Sequence, residues 1–141
     1  MAKPKATIHI VYNKFPELIR KSPEKAKELV KKAAFELEAR AKLEAKVDTG
    51  FMRNSIYTVT FAGSGYAAAK QAAEAANPDA RMIGEVGTPG EYQAFVAVGA
   101  EYAIYVEYGT RFMAAQPFMT PAVEQVRKSF ERAVKDELVK P

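Results

Sequence analysis

The sequence predicts an α+β fold: a small antiparallel β-sheet packed by a long helix in the N-terminal half and a C-terminal amphipathic helix. Three observations predict it. Apolar residues recur at spacings of three and four over about residues 23–46 and again over 121–138. Short β-branched or aromatic runs, bounded by Gly, Pro and Asn, lie between those stretches. The length of 141 residues, with 48% hydrophobic and 27% charged residues, suits one domain over 1–141 with a single core.

The elements follow in order. Residues 6–12 place Ile8, Ile10 and Tyr12 on one face and read as a short strand, with His9 on the opposite face. Ser22-Pro23-Glu24 then reads as a helix start, because the serine oxygen can cap free N–H groups, proline tolerates the first position and glutamate favours the positive end. Ala26, Leu29, Val30, Ala33, Leu37 and Ala41 give that helix an apolar stripe. Glu28 to Lys32, Glu36 to Arg40 and Glu38 to Lys42 are each four apart, which predicts a salt-laced solvated face in preference to a nucleic-acid patch. Val47-Asp48-Thr49-Gly50 breaks the helix, a turn runs through Arg53-Asn54-Ser55, and residues 56–61 alternate as a strand with both faces partly covered. A variable excursion at about 62–80 contains an alanine-rich helix over 66–76. Residues 82–86 and 93–98 read as further strands separated by Gly87-Thr88-Pro89-Gly90. Residues 101–108 fit a short helix about as well as a strand, the helix stopped by Gly109 being the preferred reading, and Thr120-Pro121 reads as the cap and start of the last helix, whose stripe is Val123, Val126, Phe130, Ala133, Val134 and Leu138.

Composition removes most chemistry. Without cysteine there is no thiol nucleophile and no Cys-ligated metal, and one histidine excludes multi-His sites. No apolar run reaches the roughly 20 residues of a membrane span, and the basic start lacks the apolar core of a signal peptide, so a soluble intracellular product is expected. No cofactor and no metal is expected. The net charge of +4 is uneven: residues 1–46 carry 12 Lys/Arg against 6 Asp/Glu, and residues 47–110 carry 3 against 7. Such a split suits a polyanion, or copies that meet basic face to acidic face.

Two constellations invite a functional reading. Asp48-Thr49-Gly50 matches the signature of retroviral-type aspartic proteases, which build a two-carboxylate site from two identical chains, and Met82-Ile83-Gly84 resembles their later hydrophobic-glycine element. Here, however, a long helix precedes the motif and Phe51-Met52-Arg53 follows it, so the better reading is that Asp48 caps the turn that Thr49 begins. Tyr102, Tyr105, Glu107 and Tyr108 fall within seven positions, a density that suits a protein interface and equally suits rings finishing the core. Pro117 and Phe118 present an aromatic from a stiffened loop, either a core plug or a docking anchor.

The order of three blocks is distinctive: Val47-Asp48-Thr49-Gly50-Phe51-Met52-Arg53-Asn54-Ser55-Ile56, then Tyr102 to Thr110, then Pro117-Phe118-Met119-Thr120-Pro121-Ala122. Over about residues 20–138 this resembles the HK-type phage tail-component family, the minor tail, neck or tail-completion proteins of long-tailed double-stranded DNA phages. Met52 and Met119 stand where leucine is usual, Ala114 where proline and Gln116 where arginine are common. The resemblance implies a non-enzymatic virion protein of the head–tail junction, assembled in the host cytoplasm: a tail-completion or neck subunit that forms a homo-oligomeric ring, six-fold symmetry being one option. Its partners would be further copies of itself, neighbouring tail-terminator or head-connector proteins, and phage DNA passing through the lumen without sequence-specific binding; no membrane is involved. The alternatives are a tail-terminator or head-completion ring and, from another class, the homodimeric aspartic protease; a basic DNA-binding domain comes third. The family-motif positions are Asp48, Thr49, Gly50, Arg53, Ser55, Gly109 and Thr110. Tyr102, Tyr105, Glu107, Tyr108, Pro117 and Phe118 are the interface candidates.

Overall fold

The computed structural model describes residues 10–45 and 50–141. Along the chain run α1 (Phe15–Lys21), α2 (Pro23–Glu44), α3 (Phe51–Asn54), β1 (Ile56–Thr60), α4 (Tyr66–Ala76), β2 (Ala94–Val98), α5 (Ala103–Tyr108) and α6 (Met119–Val139). β1 and β2 pair antiparallel, from Ile56 opposite Val98 to Thr60 opposite Ala94. The α+β reading holds, with a sheet of two strands among the described residues.

The long helices run antiparallel. Near one end Arg40 of α2 donates to Gln125 of α6, and at the other Lys21 donates to the carbonyls of Glu137, Leu138 and Lys140 that α6 leaves free at its C-terminus. Two apolar clusters form along this pair. The larger joins Ala41, Phe51, Met52, Ile56, Tyr57, Val59, Ala73, Phe118 and Ala122, and the smaller joins Leu18, Ala26 and Val134 with Tyr12, Phe15, Tyr92 and Phe130 around them.

β1 is covered on both faces as its alternation predicts: Ile56, Tyr57, Thr58 and Val59 are all buried. Thr58 Oγ1 donates to Glu38 Oε1 of α2 at 3.0 Å, and the Tyr57 ring meets Tyr66 of α4 edge-on at 5.2 Å. The excursion is thus a packed helix, with Ala69 and Ala73 buried.

Several expectations are corrected. Residues 82–86 form no strand: Ile83 N–H bonds the Gly99 carbonyl, Val86 N–H bonds the Tyr57 hydroxyl, and Met82 fills the space that Gly99 leaves by having no side chain. With Gly84, Gly87 and Pro89 in or next to the segment, single anchors replace a ladder. Ile10 to Tyr12 form no strand either, and residues 6–9, His9 included, lie outside the described residues. The Ser22 side chain caps nothing; instead its N–H bonds the Leu18 carbonyl and closes α1, while its carbonyl accepts from Ala26 and opens α2. Arg40 to Glu36 and Lys42 to Glu38 pair as expected, but Glu28 pairs with Lys25 instead of Lys32.

Candidate functional site

Three stretches assemble into one hydrogen-bonded hub, the first far from the other two in the chain and the last two close together, and its first member is the turn into α3. Gly50 has φ +89° and ψ −5°, a left-handed conformation that glycine adopts without a Cβ penalty, and its carbonyl accepts from Asn54 to start the helix. Arg53 Nε donates to the Lys42 carbonyl at 3.3 Å and ties this turn to the end of α2. Asp48 and Thr49, the cap expected here, lie outside the described residues.

Ser55 closes α3 and reaches across to the next stretch. It is fully buried; its hydroxyl donates to the Met52 carbonyl at 2.6 Å and accepts from Ala100 N–H at 3.1 Å, and its carbonyl accepts from Gly99 N–H at 2.9 Å. Ala100 is itself buried, so Ser55→Ala strips a buried N–H of its acceptor and is expected to lower stability by about 1–2 kcal/mol. A denaturant melt checks this, and a change below about 0.3 kcal/mol would show that the Ala100 N–H finds another partner.

Beyond Ala100 the chain enters α5, which carries Glu107. This carboxylate is only 7% exposed. Its Oε1 accepts from the N–H groups of Phe118 at 3.0 Å and Met119 at 2.9 Å, and its Oε2 from Thr120 N–H at 2.9 Å and Thr120 Oγ1 at 2.6 Å. One acid therefore satisfies all three backbone donors at the start of α6, those of Phe118, Met119 and Thr120, Pro121 having no N–H to offer, and lies where the helix dipole favours negative charge. Burial is the largest single influence on its carboxyl and pushes the pKa up, but the four hydrogen bonds together outweigh it and hold it below the usual value. The cap of α6 is thus Glu107 rather than Thr120, whose hydroxyl donates instead of accepting.

Between Glu107 and α6 a loop is held at several points. Gly109 N–H bonds the Tyr105 carbonyl, Gln116 N–H bonds the Val106 carbonyl at 2.8 Å, and Thr110 and Met113 exchange backbone bonds at 2.8 and 3.2 Å. Thr110 Oγ1 also accepts from Phe112 N–H at 3.1 Å. Gly109 sits at φ +75° and ψ 177°, a region essentially reserved for glycine.

The six interface candidates divide. Phe118, 1% exposed, is a core plug, and Glu107 is spent inside the protein as a cap. Pro117 lies at the surface, and Tyr102, Tyr105 and Tyr108 are 44%, 43% and 55% exposed. Tyr102 also approaches Phe51 at 6.4 Å between ring centroids. Phe112, which the sequence reading passed over, is 85% exposed, with the Arg111 guanidinium 4.7 Å from its ring centre and Met113 exposed beside it. Exposed aromatic rings therefore stand along α5 and the loop after it, on backbone that the hub fixes. Among the described residues no group of His, Asp and Glu could hold a metal ion, and none of their helices is long and apolar enough to cross a membrane. The protease-like Ile83 and Gly84 are exposed and outside any strand.

No curated protein and no solved structure matches the chain. A protein-family model described as "Bacteriophage HK97-gp10, putative tail-component" matches residues 11–109, which includes the first block and the second up to Gly109 and leaves Thr110 and the third block beyond its end. By that match the chain belongs to the HK97-gp10-like family of bacteriophage tail components.

Proposed function

We propose that the chain is a non-enzymatic ring subunit of the phage head–tail junction, a tail-completion or neck protein that assembles on the upper end of the tail around the DNA channel. The exposed aromatic face of Tyr102, Tyr105, Tyr108 and Phe112 carries this reading. Rings that remain at the surface on a hydrogen-bonded scaffold suit burial against another protein, where aromatic area is desolvated and the tyrosine hydroxyls keep polar partners. A ring further needs two different patches on each subunit. A groove of about 640 Å³ supplies a second one: Phe35 of α2 and Ala68 and Ala72 of α4 wall it, β1 floors it, and no residue of α5 or of the loop after it contributes. Neighbouring copies would meet face to groove, and neighbouring tail or head-connector proteins would stack on the ring.

Light scattering over a concentration series, with negative-stain imaging of the same fractions, tests the proposal. Wild type is expected to form closed rings at high concentration. The double variant Tyr105→Ser/Phe112→Ser is expected to stay monomeric over the same range with an unchanged melting temperature. Equal mass distributions for the two proteins would remove the aromatic face from the assembly contact, and a strict dimer would remove the ring.

A further inference from the structure

Half of the cations on the two long helices pair with nearby acids. On α2, Lys25, Lys27, Arg40 and Lys42 each pair with glutamate; on α6, Arg127 sits between Glu124 at 2.8 Å and Glu131 at 3.2 Å, and Lys140 pairs with Glu137. Three cations of α6 make no such pair, although Lys128 lies close enough to Glu124 to help lower its pKa. Lys128, Arg132 and Lys135 are exposed, and none forms an ion pair or side-chain hydrogen bond with another described residue. Their spacing of four and three confines them to about 60° of helix arc, and they span about 10.5 Å along the axis.

The surroundings identify the kind of partner. Among the described residues no large apolar side chain is exposed between Met113 and Val139, so the stripe lacks the apolar centre of a protein–protein contact, where lysine is depleted. Nucleic-acid contacts are polar and strongly positive instead. Gln125, seven residues before Arg132 and on the same side of α6, accepts from Arg40, so the stripe runs beside α2. Lys32, eight residues before Arg40, is exposed and forms no ion pair with another described residue; on the antiparallel neighbour, counting from the Arg40–Gln125 contact, it falls near the height of Arg132. One strand of duplex DNA offers a phosphate about every 3.4 Å along its axis, so 10.5 Å of cations faces about three phosphates.

We infer that Lys128, Arg132 and Lys135 form a seat for the phosphate backbone of duplex DNA that does not read sequence. The inference deepens the ring reading, which brings the genome past each subunit, yet the seat belongs to the single chain and is tested on it. Binding of the full-length protein to a fluorescent random-sequence duplex is followed by anisotropy between about 50 and 200 mM salt. The triple variant Lys128→Gln/Arg132→Gln/Lys135→Gln is expected to flatten the slope of log K against log salt by about 2.7, and each single variant by about 0.9. Glutamine favours helix, and the single variants carry the test if the triple fails to fold. A control triple, Lys25→Gln/Lys27→Gln/Lys42→Gln, removes the same formal charge from lysines already paired, and its slope should change much less.

Absence of duplex binding by wild type at about 50 mM salt would overturn the inference, as would equal flattening by both triples, which would assign the effect to net charge. Competition by polyglutamate as effective as that by duplex, at equal charge, would overturn DNA as the partner. A monomer that binds with the expected slope would sink the ring reading alone, and a ring indifferent to DNA would sink the seat alone.

Discussion

Glu107→Ala is expected to lower the unfolding free energy by about 3 kcal/mol at neutral pH, and the melting temperature by roughly 10 °C. An ordinary cap residue serves one or two free N–H groups, whereas this carboxylate serves three and a hydroxyl in a site closed to water. Truncation leaves those donors with no acceptor and removes the negative charge from the helix start. Glu107→Gln keeps the volume and one acceptor oxygen but turns an NH₂ group toward N–H donors, so it should lose about 2 kcal/mol. The sign with pH follows from the depressed carboxyl. The folded protein releases this proton more readily than the unfolded chain, so the stabilisation is complete above the ordinary value of 4.5 and disappears as pH falls through the lower folded value. Denaturant melts across that range should show wild type and Glu107→Ala separated by a constant gap near neutrality that closes in acid. A gap that persists unchanged below pH 3 would show that the carboxylate charge is not what stabilises the cap.

Gly109→Ala is expected to cost a further class of energy, at least about 3 kcal/mol, because two penalties coincide. The backbone at φ +75° and ψ 177° is strained for any residue with a Cβ. A Cβ there would also stand 2.7 Å from Ala115 N, 2.9 Å from the Met113 carbonyl oxygen and 3.1 Å from Ala115 Cα. All three are backbone atoms, so no side-chain rotation relieves the contact and the loop must move, drawing Gln116 away from the Val106 carbonyl. Gly50→Ala provides the comparison. Its φ is also positive, but the nearest atoms to a new Cβ lie at 3.7 and 3.8 Å, so only the left-handed backbone is penalised, about 1 kcal/mol. Chemical denaturation of both variants measures the difference, and equal losses would mean that the loop moves aside freely.

The contrast between these glycines shows what was legible in the sequence. Both stand after helical patterns and both read as punctuation, since glycine's conformational freedom is a local property. The crowding at Gly109 comes from Ala115 and Met113 folding back, which no local pattern encodes. The same division holds elsewhere. The helices over 23–44, 66–76 and 119–139 are long or well-bounded enough for period and punctuation to reveal them, whereas 103–108 fits a strand about as well by period and Gly109 as a stop tips the reading to a helix. The seven-residue α1 was not read, although Pro16, Glu17, Arg20 and Lys21 fit its first and last turns, because two turns are too short to establish a period. Glu107 looked like an interface residue because an acid among tyrosines does suit a surface; its partners lie 11 to 13 residues onward, beyond any capping motif. The aromatic face was half visible: the tyrosines announced it, whereas Phe112 gained significance only from a turn that holds it outward.

The antiparallel pair of long helices carries two separate apolar clusters among the described residues, and the two are expected to open as separate units on a shared pair of beams. The unit holding the family blocks is cross-braced by strand pairing, by Ser55 and by Glu107, so its amides open only with large parts of the chain. The other unit, α1 with the first turns of α2 and the last of α6, is fastened by a handful of apolar side chains and by Lys21. It can fray and reclose while the aromatic face stays in place. Events at the two chain ends are thereby mechanically insulated from the surface proposed to meet the next subunit.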